Sequence, residues 1–211
     1  MGRSHKRFRF LISSGPTQEP LDPVRFLSNY STGAMGRHLD AAARKRGHKV
    51  TWVCCPDEAK TARDLLSKLA ALLPKHDALL MAAAVGDVRP AVYSKRKIKK
   101  DDLSTLKLVK NPDILAVLSK KKKKDQVFIA FALETRDMFD NALKKLRRKK
   151  LDAIVMQKVT DKEHPFGDKA IGAFILETGG AFTGFRAIEK SRLAGLLIRK
   201  TEALLASKRR D

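Results

Sequence analysis

A run of small and polar residues, Leu27–Gly36 (LSNYSTGAMG), is the stretch of this sequence best suited to binding an anion. An apolar run that predicts a strand precedes it, and apolar residues at helical spacing follow it. Ser31, Thr32 and Gly33 are therefore expected where a helix begins, with uncovered backbone N–H groups beside the positive end of the helix dipole. Such a corner suits a phosphate or a carboxylate, although Ser and Gly before a helix are more often an ordinary cap. Gly33 and Gly36 do not complete the G-x-G-x-x-G pattern of dinucleotide-binding proteins.

The other groups that could do chemistry are lysines and amides rather than a nucleophile with its base. Lys145 and Lys149 are four residues apart on a predicted helix, so their ammonium groups repel each other unless water or an anion lies between them. The amide of Asn29 can donate to an acyl-phosphate oxygen and accept from an amine. The histidines have no acidic or cysteine partners at ligand spacing, so no metal site is predicted. These groups suit a reaction that works by positioning and charge neutralisation on a nucleoside triphosphate.

The elements that hold these groups alternate along the chain. Strands are predicted at Phe8–Ser13, Lys49–Cys54, Asp77–Ala84, Val127–Leu133 and Ala153–Met156, followed by a hairpin at Ile171–Leu176 and Ala181–Gly184. Helices are predicted at Gly36–Arg46, Ala62–Leu73, Pro112–Ser119 (begun by Asn111), Arg136–Lys150 and Ser191–Ala206. Ser14–Leu27 is expected to be a loop, and Val88–Lys110 a lysine-rich mobile flap with a strand at Lys107–Val109. The alternation predicts an α/β fold with a Rossmann-like, mostly parallel sheet flanked by helices, in a single domain over residues 1–211.

The composition is strongly basic, with 45 Lys and Arg against 23 Asp and Glu, a net charge of +22 and a pI near 10.3. A chain of this charge attracts polyanions, which keeps a nucleic-acid-binding protein open as an alternative function. Only 6% of the residues are aromatic, and no helix-turn-helix or zinc-finger spacing is present, so specific nucleic-acid recognition is not expected. The cations are spread along the chain, apart from runs at Lys120–Lys124 and Lys144–Lys150.

The cysteines and the hydropathy indicate a cytoplasmic protein. Cys54 and Cys55 are adjacent and therefore poor disulfide partners, which favours a reducing compartment. They are expected to close a buried strand. No apolar run approaches the length of a membrane span, and no cleavable leader opens the chain.

A series of motifs in a fixed order covers nearly the whole chain. The motifs are Gly15-Pro-Thr-Gln-Glu-Pro, Asp22-Pro-Val-Arg25, Ser28–Gly33, Ala82–Asp87, Lys97-Ile-Lys-Lys100, Asn111-Pro-Asp-Ile114, Phe131-Ala-Leu-Glu-Thr135 and Lys149-Lys-Leu-Asp152. In this order the series resembles the phosphopantothenate–cysteine ligase family of coenzyme A biosynthesis, in its bacterial form and without the decarboxylase domain. The resemblance implies ligation of 4′-phosphopantothenate to L-cysteine through an acyl-cytidylate, with release of pyrophosphate and CMP.

The resemblance also implies roles for individual residues. The catalytic residues would be Asn29 and Lys97. The residues that would bind pantothenate are Asn29, Ala83, Ala84 and Asp87. Those that would bind the nucleotide are Gly15, Ser31, Gly33, Gly36, Met81, Ala82, Ala83, Asp87, Lys97, Pro112, Asp113, Ile114, Leu115, Phe131, Lys145 and Lys149. The nucleotide would be CTP accompanied by Mg²⁺, and no flavin and no protein-held metal are expected.

The resemblance also implies binding partners, and at two places the chain differs from the family pattern. The family resemblance implies a homodimer, helped by apolar Phe174, Ile175 and Leu176 on the hairpin, and allows a separate decarboxylase as a partner. Neither a membrane nor a specific nucleic acid is expected as a partner. Gln157 stands near the place where the family has an Asn that touches the nucleotide, and the passage from Cys55 to Thr61 is too short for the family's next edge strand. An NAD(P)-dependent oxidoreductase on a similar sheet is the remaining alternative, disfavoured because no acidic residue closes the second strand.

Overall fold

The computed structural model describes residues 6–160 and 164–210, so His5 and most of the basic N-terminal tail lie outside it. The strands are β1 (Arg9–Ser14), β2 (Gln18–Pro20), β3 (Phe26–Ser28), β4 (Lys49–Cys54), β5 (Ala78–Met81), β6 (Val88–Pro90), β7 (Leu108–Lys110), β8 (Val127–Glu134), β9 (Ala153–Lys158), β10 (Ile171–Glu177) and β11 (Phe182–Ile188). The α-helices are α1 (Ala34–Lys45), α2 (Ala62–Leu72), α3 (Ile114–Leu118), α4 (Met138–Arg148) and α5 (Lys190–Lys208).

Seven strands form the main sheet in the order β11-β10-β9-β8-β5-β1-β4. The neighbouring strands β4, β1, β5, β8 and β9 are parallel to one another, whereas β10 is antiparallel to both β9 and β11. All four residues of β5 are buried, as required of a parallel strand that helices cover on both faces. The predicted α/β fold with a mostly parallel sheet is therefore confirmed.

Two apolar layers hold the helices against this sheet. On β1, Leu11 packs in one layer, and Phe10 and Ile12 pack in the other, because successive side chains point to opposite faces. The first layer contains buried residues of α2, α3 and α4, and the second those of α1 and α5. Each fully buried Leu, Ile or Phe side chain contributes roughly 1.5–3 kcal/mol to this packing.

Several expectations need correction. The predicted loop Ser14–Leu27 contains β2 and forms a small antiparallel sheet with β3. The flap carries two strands rather than one, since Val88 pairs with Lys110 and Pro90 with Leu108. The C-terminal hairpin is part of the main sheet. Ile175 and Leu176 are consequently buried in the chain's own core and offer nothing to a partner subunit.

The third helix begins two residues later than expected. Asp113, not Asn111, is its N-cap, and the Asp113 side chain accepts a hydrogen bond from the Ala116 amide at 3.1 Å. The Asn111 side chain instead donates to the Gly86 carbonyl oxygen at 2.8 Å. Both residue types cap helices well, so the choice depends on this long-range contact.

Strand β4 forms one edge of the main sheet, and only a short passage follows it before α2. The short passage from Cys55 to Thr61 predicts that no further strand follows β4 at this edge. Within the described residues, no strand pairs with the outer side of β4. Cys54 ends β4, and Cys55 is buried behind it, where burial raises the pKa of its thiol to about 12. Across the described ranges, no helix is both long and apolar enough to cross a membrane.

Candidate functional site

Two clefts meet at the carboxyl ends of β5 and β8, where parallel α/β sheets bind their ligands. The larger cleft has a volume of about 380 Å³ and the smaller about 230 Å³. Ala83, Val85, Asp87 and Phe131 line both, so a ligand could extend from one cleft into the other.

The clefts collect most of the residues that the sequence indicated. In the larger cleft lie Asn29, Ser31, Gly33, Ala82, Ala83, Ala84, Asp87, Phe131 and Lys145. In the smaller cleft lie Met81, Ala83, Asp87, Pro112, Asp113, Ile114, Leu115, Phe131 and Lys149. Gly15, Gly36 and Lys97 line neither cleft.

The N-terminus of α1 forms one wall of the larger cleft. Its N-cap is Gly33, in a left-handed conformation at φ 72°, and no side chain caps the helix. No acidic residue occupies the first turn, so the positive end of the dipole is not neutralised there. This geometry agrees with the anion-binding corner expected from Ser31–Gly33.

Gly15 and Gly36 act behind this wall through their lack of a side chain. A Cβ at Gly36 would lie 2.0 Å from the Cβ of Ser14, so only glycine lets α1 approach the end of β1 so closely. At Gly15, φ is +79° and a Cβ would lie 2.1 Å from the carbonyl oxygen of Cys55. Both glycines therefore position the corner without facing the cleft.

Asn29 reaches the cleft from the end of the small β2–β3 sheet. Its Nδ2 donates to the carbonyl oxygen of Ala84 at 3.1 Å, and its side chain is otherwise exposed. The amide is thereby placed beside the small side chains of Ala82, Ala83 and Ala84, which leave the backbone accessible.

A buried carboxylate, Asp22, connects the loop before Asn29 to the flap that carries Lys97. It accepts hydrogen bonds from the Ile98 amide at 3.1 Å and from Arg25 Nη2 at 2.6 Å, and Arg25 also donates to the Ile98 carbonyl. Burial alone would raise the pKa of Asp22, but hydrogen bonds from Val24, Arg25 and Ile98 lower it well below its usual range. A permanently charged Asp22 therefore holds the segment next to Lys97, whose own side chain is exposed.

Lys145 of α4 and Lys149, the C-cap of that helix, are neutralised in a way that the sequence did not indicate. Lys145 forms an ion pair with Glu134 at 2.5 Å, and Lys149 forms one with Asp113 at 3.0 Å. Burial opposes ionisation of Asp113, but the hydrogen bonds from Lys149 and the Ala116 amide, together with the charges of Lys149 and Arg148, lower the pKa of that carboxyl. Each lysine is thus oriented by a carboxylate on a neighbouring element while it lines a cleft.

Lys190 was missed by the sequence analysis. It is buried at the start of α5 and lines the larger cleft with Pro165 and Phe166. Its Nζ donates to the carbonyl oxygen of Pro165 at 2.6 Å and to that of Gly167. Burial lowers the pKa of Lys190, and the charge of Asp168 opposes this effect. In a chain with 45 cations, nothing in the sequence marks this lysine as buried.

Gln157 is the other notable residue of this wall, because it stands where an Asn was expected. It is 7% exposed and lines the larger cleft from the end of β9.

As for metals, no cluster of three or more His, Cys, Asp or Glu side chains within residues 6–160 and 164–210 could hold an ion.

The comparisons with known proteins identify the family of the chain. Residues 5–204 match the family model of the DNA/pantothenate metabolism flavoprotein C-terminal domain. The chain is 36% identical over 210 residues to a cysteine/cysteine sulfinic acid decarboxylase of an unidentified prokaryote, covering 93% of this chain and 58% of that protein. It is 36% identical over 206 residues to the coenzyme A biosynthesis bifunctional protein CoaBC of Vibrio parahaemolyticus, covering 86% of this chain and 51% of that protein.

The chain therefore spans about half the length of these two curated relatives. Among solved structures, it is similar to the C-terminal domain of the coenzyme A biosynthesis bifunctional protein CoaBC, with a TM-score of 0.77 and 27% identity. That superposition covers 95% of this chain and 96% of the solved one.

Proposed function

The chain belongs to the family of DNA/pantothenate metabolism flavoprotein C-terminal domains, and from this premise we propose that it is a phosphopantothenate–cysteine ligase. In the proposed reaction, the carboxylate of 4′-phosphopantothenate attacks the α-phosphorus of CTP, and pyrophosphate leaves. The amino nitrogen of L-cysteine then attacks the acyl carbon of the acyl-cytidylate. CMP leaves, the nitrogen loses a proton, and 4′-phosphopantothenoylcysteine is formed.

The observation that carries this proposal is the junction of the two clefts beside Asn29. A two-step acyl transfer needs a nucleotide and an acyl group whose reacting atoms meet at one place. The smaller cleft is lined by Met81, Ala83 and Pro112–Leu115, and the backbone groups of these segments would hydrogen-bond to the polar edge of a base. The larger cleft offers the uncapped N-terminus of α1 to phosphates and the Ala82–Ala84 segment to the pantothenate arm.

Positive charge in this arrangement stabilises the phosphates. Lys145 of α4 and Lys149 at the C-cap of that helix line the clefts. Lys97 would approach from the flap when substrate is bound. Mg²⁺ enters as part of the CTP complex, held by phosphate oxygens and water, which is how this ion is commonly bound beside triphosphates. The proposed chemistry uses no flavin.

Asn29 has the central role in the proposed mechanism. Its amide N–H can donate to the oxygen that becomes negative when cysteine attacks the acyl carbon, and its Oδ1 can accept from the cysteine amine. Asp87 lines both clefts and, with Ala83 and Ala84, would border the pantothenate arm.

We also propose that the chain acts as a homodimer in the cytoplasm, with a separate decarboxylase acting on its product. Exposed Phe139 and Phe182 support the dimer, because large apolar side chains at a surface are common at protein interfaces. The free thiols of Cys54 and Cys55 agree with a reducing compartment.

Pyrophosphate release in the presence of phosphopantothenate, cysteine and CTP tests the function. Turnover should require all three substrates, and omission of cysteine should limit release to a single burst per active site. Intact turnover without phosphopantothenate would contradict the proposal. Fluorescence of a nicotinamide cofactor bound to the purified protein would favour the oxidoreductase alternative instead.

A further inference from the structure

Three segments made entirely of lysine and arginine meet on one side of the molecule. They are Lys120–Lys124, Arg147–Lys150 and Lys208–Arg210, which we call the basic face. Lys122 Nζ donates to the carbonyl oxygen of Lys150 and to Asp152 Oδ2, both at 2.6 Å. Lys208 Nζ lies 2.9 Å from Asp152 Oδ1 and donates to the carbonyl oxygen of Lys124 at 3.3 Å. Cations that are distant in the sequence are thus brought together here around one carboxylate, Asp152.

Most of the basic face lies at the end of the sheet opposite the clefts, and Lys149 is the residue of the face that also lines the smaller cleft. Lys120–Lys124 precedes β8 and Arg147–Lys150 precedes β9, so both segments lie at the amino ends of parallel strands. Helix α5 begins at the larger cleft with Lys190 and ends at Lys208 on the basic face. The proposed ligase reaction uses Lys149, which lines the smaller cleft, but it has no use for the charge of Lys120–Lys124 and Lys208–Arg210.

Local neutralisation accounts for only part of the basic face. Lys122 and Lys208 pair with Asp152, and Arg209 pairs with Asp77. Arg148 and Lys149 both pair with Asp113. By contrast, the exposed side chains of Lys121, Lys123 and Lys124 form no ion pair with any carboxylate of the described residues.

The helix dipole does not explain the remaining cations either. One or two cations at a helix C-terminus are stabilised by the dipole, and the effect fades within the last turn. Helix α3 ends at Leu118, and the lysine run continues to Lys124, beyond that turn. Adjacent like charges destabilise the fold unless counterions or an anionic partner neutralise them. The run is therefore better suited to an external anion than to the protein's own stability.

We propose that the basic face binds the phosphate backbone of a nucleic-acid duplex, without regard to its sequence. A duplex carries a phosphate charge about every 1.7 Å along its axis, which matches a dense surface of cations. The three segments contain no aromatic residue, whereas single strands are bound by aromatic stacking. They also contain no apolar side chain to insert into a lipid surface, which disfavours a membrane as the partner.

The test measures binding of a fluorescent DNA duplex of about 24 base pairs over a range of salt concentrations. In the variant Lys121→Gln/Lys123→Gln/Lys124→Gln, the slope of log K against log salt should become less steep by about 2.7, since each lost phosphate contact removes about 0.9. Affinity at about 50 mM salt should fall at least tenfold. Pyrophosphate release should stay at the wild-type rate, because these lysines lie far from the clefts.

The matched control removes three exposed cations at the opposite end of the molecule, in Lys60→Gln/Arg63→Gln/Arg192→Gln. It should keep the wild-type slope. Equal losses in both triple variants would overturn the proposal, because net charge rather than the basic face would then govern binding. Tighter binding to a single strand of equal length, or binding to phosphatidylserine vesicles but not to the duplex, would also overturn it.

Discussion

The side-chain amide of Asn29 donates to the carbonyl oxygen of Ala84 at 3.1 Å, which connects two residues 55 positions apart in the sequence. This bond attaches the tip of the β2–β3 sheet to the segment that follows β5. It places the amide between the anion-binding corner of α1 and the alanines of the larger cleft. The proposed catalytic role of Asn29 depends on this position.

Replacing Asn29 with Asp should reduce kcat by about 10²–10³-fold, the usual loss when one oxyanion donor is removed. The new carboxylate would repel the substrate carboxylate and the phosphates, and it could not donate to the Ala84 carbonyl. Asn29→Ala removes the donor without adding charge and should be less impaired than Asn29→Asp. The thermal midpoint of each variant serves as the control for folding. Wild-type turnover in Asn29→Asp would remove this residue from the site.

CTP should be preferred to ATP by at least about tenfold in kcat/KM, or roughly 1.4 kcal/mol of transition-state discrimination. The smaller cleft is lined by Met81, Ala83 and Pro112–Leu115, and backbone groups of these segments fitted to the edge of a pyrimidine would exclude the second ring of a purine. Pyrophosphate release measured with each nucleotide gives the ratio directly. Equal or better turnover with ATP would contradict the base preference and leave the ligase proposal standing. Gln157→Asn should sharpen the preference if this amide reads the nucleotide.

The protein should be a dimer at micromolar concentration in light scattering. Phe182 is 51% exposed and its ring stacks on Phe174, while Phe139 lies beside it with ring centres 6.1 Å apart. Phe182→Ser should shift the equilibrium toward monomer if this aromatic cluster contributes to the interface. Phe26→Ser, at a similarly exposed aromatic on β3, is the matched control. A fully active monomer would refute the prediction.

Replacing Lys190 with Met should lower kcat/KM at least about tenfold, because the carbonyl groups of Pro165 and Gly167 lose their donor and the cleft wall is no longer fixed. The methionine keeps most of the aliphatic length, so the α5 packing should survive. Lys200→Met is the control: Lys200 lies on the same helix and pairs with Glu177 at 2.6 Å, outside both clefts. If the two variants have the same kinetic constants, Lys190 does not position the wall.

Asp77 should contribute to stability in a pH-dependent way. Burial alone would raise its pKa, but hydrogen bonds from the Arg9 side chain and amide, together with the charge of Arg209, lower it. A folded-state pKa below the unfolded value of about 3.9 stabilises the protein above that pH, and this contribution is lost as the pH falls through the folded pKa. Asp77→Asn should therefore reduce the free energy of unfolding by roughly 1–3 kcal/mol near pH 7.

The difference between wild type and Asp77→Asn should shrink as the pH is lowered below about 4, which urea unfolding at several pH values measures. Asp168→Asn changes an exposed carboxyl paired with His38 and should have little effect on unfolding at pH 7. A pH-independent difference for Asp77→Asn would mean that the side chain acts by its shape alone.

The sequence predicted the parts of this fold that depend on local pattern. The pattern predicts the strand Lys49–Cys54 with its actual bounds, and it predicts a strand at Asp77–Ala84 where the structure has the shorter β5. Both strands are marked by a sharp change between apolar and polar residues, so the local sequence predicts them without knowledge of the strands that pair with them. Strands β2, β3, β6 and β7 have three residues each and form only because another short segment lies beside them.

Most residues around the clefts followed from ordered motifs, but their contacts did not. The pairing of Lys149 with Asp113 joins residues on different elements, and the burial of Lys190 depends on the Pro165–Gly167 loop that folds over it. Neither has a signal in spacing or composition. The sequence shows cationic runs at Lys120–Lys124 and Lys144–Lys150, but it does not show that they meet Lys208–Arg210, because the segments are distant in sequence and come together where Asp152 binds Lys122 and Lys208.

The position of β1 between β4 and β5 has a consequence for how the chain folds during synthesis. Strand β1 gains its second neighbour only when the chain has extended to β5, and the contact between Arg9 and Asp77 spans 68 residues. Until then, one side of an apolar strand has unpaired backbone groups and a large loop-closure entropy still opposes pairing. A nascent chain halted before Ala78 should therefore be protease-sensitive throughout, and resistance should develop over the later strands rather than strand by strand from the start.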